Sequence, residues 1–178
     1  SLAITDSMVR GSIATRRPLP ILPRHVLPER AECRARGGAR SFSDPRVMCL
    51  LHDRAGQLWI GTMSSGLSRL GTDGRVVTYR ATADSDTSLG ADGIMSLYED
   101  QAGRIWIGTF EGGVSAYDPE TGASRRYRDT AGKAGWLDRL RATAIREDQA
   151  GRIWVGTDGD GLVLLDPKRG LLRQLVHD

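Results

Sequence analysis

Short runs of alternating apolar and polar residues fill the chain from about residue 47 onward. In IMSLYED (94–100), Met95 and Leu97 fall on one face of an extended strand, and Ile94, Ser96 and Tyr98 on the other. DQAG follows as a tight turn. Asp100 can accept hydrogen bonds from turn amides, and Gly103 can take the positive φ such a hairpin needs. RIWIGT (104–109) predicts a second strand, with Ile105 and Ile107 on one face and Trp106 and Gly108 on the other. Apolar bulk on both faces predicts a sheet covered on both sides. A glycine-bearing turn (FEGG), a third strand (GVSAYD), a further turn (PETG) and a fourth strand (ASRRYR) complete the unit. No segment of ten or more residues carries a helical period.

The unit recurs. VMCLLHDRAGQLWIGT (47–62), IMSLYEDQAGRIWIGT (94–109) and ATAIREDQAGRIWVGT (142–157) align without gaps. Asp53, Asp100 and Asp148 hold one position in the repeat, as do Gly56, Gly103 and Gly151. Trp59, Trp106 and Trp154 hold another, and Gly61, Gly108 and Gly156 a fourth, at intervals of 47 and 48 residues. Four short strands at this period predict an all-β fold of propeller blades. The expectation is a partial β-propeller of three four-stranded antiparallel blades, at about 47–80, 94–128 and 142–176. Linkers 81–93 and 129–141 cross from the outer edge of one blade to the inner strand of the next.

The pattern of an apolar strand, (E)D-x-x-G-x-(I/L)-W-(I/V)-G-T, a glycine turn and a short strand ending in Asp resembles the two-component regulator propeller repeat. The resemblance extends over all three repeats. It implies the sensing region of a bacterial signalling protein outside the cytoplasm, hence a periplasmic or extracytoplasmic location. It further implies a small-molecule or glycan ligand, and an output module that is a histidine kinase or a diguanylate cyclase. This chain carries neither kinase nor cyclase signatures, so no enzyme activity is expected of it. Closing a ring takes about six to eight blades. Three would leave two blade faces open, so truncation is the expectation. Completion by a partner's blades or by a second copy is the alternative.

Composition changes this picture only at the N-terminus. Residues 1–46 hold nine arginines against Asp6, Glu29, Glu32 and Asp44, and five of the seven prolines. They read as a poorly ordered basic leader without the apolar centre of a secretory signal. The repeats themselves carry two more acidic than basic residues. A nucleic-acid partner is therefore not expected, since that footprint is a basic stripe on the folded body. A membrane would be met only through flanking segments. Cys33 and Cys49 form no metal or redox motif, and no cofactor motif occurs.

Candidate chemistry is sparse. The recurrent Asp, Trp and Gly positions predict structure, because a catalytic group is needed once and a turn is needed in every repeat. Asp158 and Asp160 in DGDG hint at calcium, but the aligned turns MSSG and FEGG lack the carboxylates, and a polar turn is the stronger reading. His52 aligns with Glu99 and Glu147 at the end of the inner strand. These three are the inner-strand candidates for an acid/base pair in a propeller lyase or hydrolase, the enzyme alternative. Phe110, Glu111, Trp136 and Asp158 lie on turns and a linker, where a rigid scaffold places recognition. A local plug over a blade edge is the favoured role for Trp136. A protein-interaction scaffold is the third reading.

Overall fold

The computed structural model describes residues 44–82, 87–128 and 135–176. It holds twelve strands in three antiparallel sheets, each in simple meander order. The first blade is β1 (Val47–His52), β2 (Leu58–Thr62), β3 (Leu67–Leu70) and β4 (Val76–Tyr79). The second is β5 (Ile94–Glu99), β6 (Ile105–Thr109), β7 (Val114–Tyr117) and β8 (Ser124–Tyr127). The third is β9 (Ala142–Glu147), β10 (Ile153–Thr157), β11 (Leu162–Asp166) and β12 (Gly170–Leu175). The sheets do not close on one another. Most of the 1–46 leader, with Cys33 and His25, lies outside the described residues, as does His177.

Blades stack through their inner strands: β5 packs on β1 and β2, and β9 on β5 and β6. Two apolar seams result. In the first, Trp59 and Leu67 of one blade meet Ile94, Ile105 and Ile107 of the next. In the second, Trp106 and Val114 meet Ala142, Ile145, Ile153 and Val155. Trp59 and Trp106 are fully buried, and truncating either should cost about 3–5 kcal/mol. Trp59 is stacked on Tyr79 of its own blade and meets Tyr117 of the next edge-on.

The inner strands depart from simple alternation. Each carries a register shift near its start, at Met48, Met95 and Thr143. The extra residue re-aims what precedes it. Ile94 therefore joins Leu97 on the face toward the first blade, and not Ser96 and Tyr98 as alternation predicts. Ser96 faces the third blade and donates to Ala142 O at 2.7 Å.

The last residues counted with the leader are tied to the first blade. Asp44 is buried and accepts bonds from Arg46 N (2.9 Å), Ser64 N (2.9 Å) and Ser64 Oγ (2.7 Å). The Arg46 amide and the Ser64 hydroxyl lead in holding its carboxyl down at about 2.

Candidate functional site

The recurrent aspartates and tryptophans bond to each other. Trp59 Nε1 donates to Asp53 Oδ2 at 2.7 Å, Trp106 to Asp100 at 2.7 Å, and Trp154 to Asp148 at 3.0 Å. The other carboxylate oxygen accepts the amide four residues on: Gln57 N, Arg104 N or Arg152 N. The hairpin glycine donates back to the Asp carbonyl, with φ of 81°, 83° and 73° at Gly56, Gly103 and Gly151. One side chain thus closes the turn and satisfies an indole N–H that burial would otherwise leave unpaired. Burial pushes the Asp148 carboxyl up, but the bonds from Arg152, Trp154 and Ala150 outweigh it and hold the group at about 2.

The threonine of each GT pair acts similarly at the next turn, a role the sequence alone did not single out. Thr62, Thr109 and Thr157 donate through Oγ1 to Gly66 O, Gly113 O and Gly161 O at 2.9, 3.0 and 2.7 Å. Their hydroxyls also accept Ser65 N, Gly112 N and Asp160 N.

The candidate recognition residues separate to opposite ends of the strands. His52, Glu99 and Glu147 end β1, β5 and β9, each at the first hairpin of its blade. Glu99 accepts Arg54 N and Arg54 Nε, both at 2.9 Å, and Glu147 accepts Gln101 N at 2.7 Å. Each glutamate therefore pins its blade to the hairpin of the blade before. His52 holds the same position on the first blade and is exposed. Phe110, Glu111, Trp136 and Asp158 stand at the other end, with the linkers.

At the linker end, the Arg141 guanidinium lies over the Phe110 ring, 4.1 Å from its centroid, and 3.0 Å from Asp158 Oδ2. Asp158 N donates to Arg141 O, closing the contact. Arg141 was not among the sequence candidates, although its position in the repeat is held by Gly93 one blade earlier. Asp158 is thus ion-paired, and among the described residues no group of three or more His, Cys, Asp and Glu lies placed to hold a metal ion. Glu111 is exposed beside this cluster. Trp136 is half-buried against the second seam, ahead of a 3₁₀ turn (Leu137–Arg139) whose Leu137 is fully buried. Cys49 is half-buried in the first seam, and burial pushes its thiol up to about 11.

Four-stranded antiparallel sheets stacked through their inner strands, each locked by one Asp–Trp hairpin, are blades of a β-propeller. The two-component regulator propeller family model matches the chain three times, at residues 41–64, 88–111 and 137–159. The fold is similar to the extracellular domain of a hybrid two component system from B. thetaiotaomicron. Identity there is 24% and the TM-score 0.64, over 76% of this chain and 19% of that one. A second such domain from the same organism is 29% identical, with a TM-score of 0.53 over 68% of this chain and 16% of that one. Virginiamycin B lyase from Staphylococcus aureus shares the fold at 16% identity and a TM-score of 0.55, over 72% of this chain and 40% of that one. This chain therefore spans under a fifth of the two-component domains it matches. No curated protein matches its sequence.

Proposed function

We propose that this chain belongs to the sensory input region of a bacterial signal-transduction protein. It takes up a small molecule or glycan fragment outside the cytoplasm, does no chemistry itself, and is coupled to a kinase or cyclase output. The observation that carries this reading is the threefold match to two-component regulator propeller repeats. The 29% identity to an extracellular domain of a hybrid two component system supports the location. Among the described residues no helix is long and apolar enough to cross a membrane. The binding face we assign is the linker end of the second and third blades, where Phe110, Arg141 and Asp158 form a rigid aromatic and charged cluster beside exposed Glu111.

The lyase or hydrolase alternative needs an acid/base pair free to act. Glu99 and Glu147 are instead committed to backbone N–H groups of the neighbouring hairpins. The likeness to the lyase is one of fold.

The test is a thermal-shift screen of the chain against sugars, oligosaccharide fragments and small organic acids. Ligand at about 100 times its Kd should stabilise by about 2.7 kcal/mol. Phe110→Ala and Arg141→Ala should abolish the shift, while His52→Ala keeps it. Turnover of a screened compound that His52→Ala abolishes would overturn the sensor reading in favour of the enzyme. Partner capture without any small-molecule response would favour the scaffold.

A further inference from the structure

The seam between the first and second blades is not solid. In its outer half a cavity of about 210 Å³ lies between the two blades and the first linker. Leu67, Leu89 and Ile107 supply its apolar wall; Tyr79, Tyr117 and Ser124 supply hydroxyls. Tyr79 Oη and Tyr117 Oη are 3.2 Å apart and share a hydrogen bond. Two hydroxyls bring two protons, and that bond uses one, so the pair has one left to donate. Trp59 backs the pair, stacked on Tyr79 at 5.9 Å and edge-on to Tyr117 at 5.6 Å. Burial above all, then the bond to Tyr117, pushes the Tyr79 hydroxyl up from its ordinary range, so it stays protonated at neutral pH. Exposed Thr87 and Gly122 also line the cavity, which therefore opens to solvent.

The second seam fills the same place with side chains. Sheet register puts Leu165 and Leu171 opposite each other in the third blade, where the second blade has Tyr117 and Ser124. Leu165 is fully buried, and Leu171 packs against that core. Tyr127, the counterpart of Tyr79, is buried and donates to Pro167 O at 2.8 Å. In the first seam Ser124 reaches less far than a leucine, and Tyr79 finds a second hydroxyl in place of a turn carbonyl. The space and the spare proton thus come from two substitutions within the repeat, between blades that are both present.

We propose that this cavity is a small-molecule site separate from the linker-end face, and that it takes a neutral phenol, one aromatic ring carrying a hydroxyl. An apolar cavity of about 150 Å³ holds benzene, so this one has room for a ring and a small substituent. The ring lies against Leu67, Leu89 and Ile107, and its hydroxyl accepts the spare proton of the tyrosine pair. A carboxylate is disfavoured. The one cation lining the cavity, Arg80, is already held by Ser64 O and Asp92, and an unpaired charge would lose its water. A sugar carries more hydroxyls than these walls can satisfy.

Calorimetric titration of the full 178-residue chain with phenol tests this. Saturable binding of one phenol per chain is expected. Toluene, the ring without the hydroxyl, should bind about tenfold more weakly, the worth of one hydrogen bond. Benzoate should not compete. Ser124→Leu puts into the first seam the side chain that the second already has. It should abolish phenol binding while the thermal unfolding midpoint stays or rises, so loss of fold is not the cause. The Tyr79→Phe, Tyr117→Phe double variant should bind phenol no better than toluene. Phe110→Ala should leave phenol affinity unchanged, which separates this site from the linker-end face. No saturable uptake, equal affinity for phenol and toluene in the wild type, competition by benzoate, binding retained by folded Ser124→Leu, phenol still preferred by the double variant, or binding lost in Phe110→Ala would each overturn the proposal.

Discussion

The seam glycines give the sharpest test of how the blades are held. A Cβ at Gly108 would collide with Ser96 Oγ and sit 2.6 Å from Ala142 O and 2.8 Å from Ala142 Cβ. Two of these are on the next blade, and Ala142 O is backbone that cannot rotate away. Gly108→Ala must therefore push β9 off β6. Overpacking of this kind costs about 1–3 kcal/mol. The same push breaks the Ser96–Ala142 hydrogen bond, adding about 1 kcal/mol. The sum is roughly 2–4 kcal/mol. Gly156→Ala adds the same methyl at the same place in the repeat, but its nearest neighbour is Ala144 Cβ at 3.5 Å. There the gain from replacing a strand glycine, about 0.5–1 kcal/mol, should make the change neutral or slightly stabilising. Urea unfolding of both variants compares them directly. Equal losses at the two positions would refute the view that the following blade, rather than the repeat's internal geometry, demands glycine.

Two further outcomes follow from the Asp–Trp hairpins and from charge. Asp100→Ala strands a fully buried Trp106 N–H and should cost about 3 kcal/mol by urea unfolding. Asp148→Ala, beside the half-buried Trp154, should cost about 1 kcal/mol, because water reaches the indole; the reverse order would refute the reasoning. The Asp44 and Asp148 carboxyls stand at about 2, below their ordinary 3.8. They therefore favour the folded chain above about pH 4, and that contribution is lost as pH falls from 4 through 2. An acid titration followed by circular dichroism should show this loss, and the Asp44→Asn, Asp148→Asn double variant should flatten it over that window. An unchanged profile would show that these bonds are not what acid breaks.

The blade is legible in the local pattern of the chain. Strand alternation, turn glycines and a period of 47 to 48 residues are local properties, and each acts within a few residues of where it is written. The recurrence of Asp and Trp also marked them as structural. That they bond to each other was not legible, because the hairpin folds back over six residues to bring them within 2.7–3.0 Å. The inner-strand bulge escaped alternation for the same kind of reason: one extra residue changes the facing of Ile94 without changing its neighbours in sequence. Tertiary structure alone decided what lies between blades. Glu99 and Glu147, chemically suited to catalysis, became pins to the preceding hairpin, and Arg141 joined Phe110 and Asp158 across a blade boundary. Gly61, Gly108 and Gly156 are identical in the repeat, yet only the first two are crowded. What separates them is whether another blade is present to pack against, and a contact between repeats is written in no single one of them.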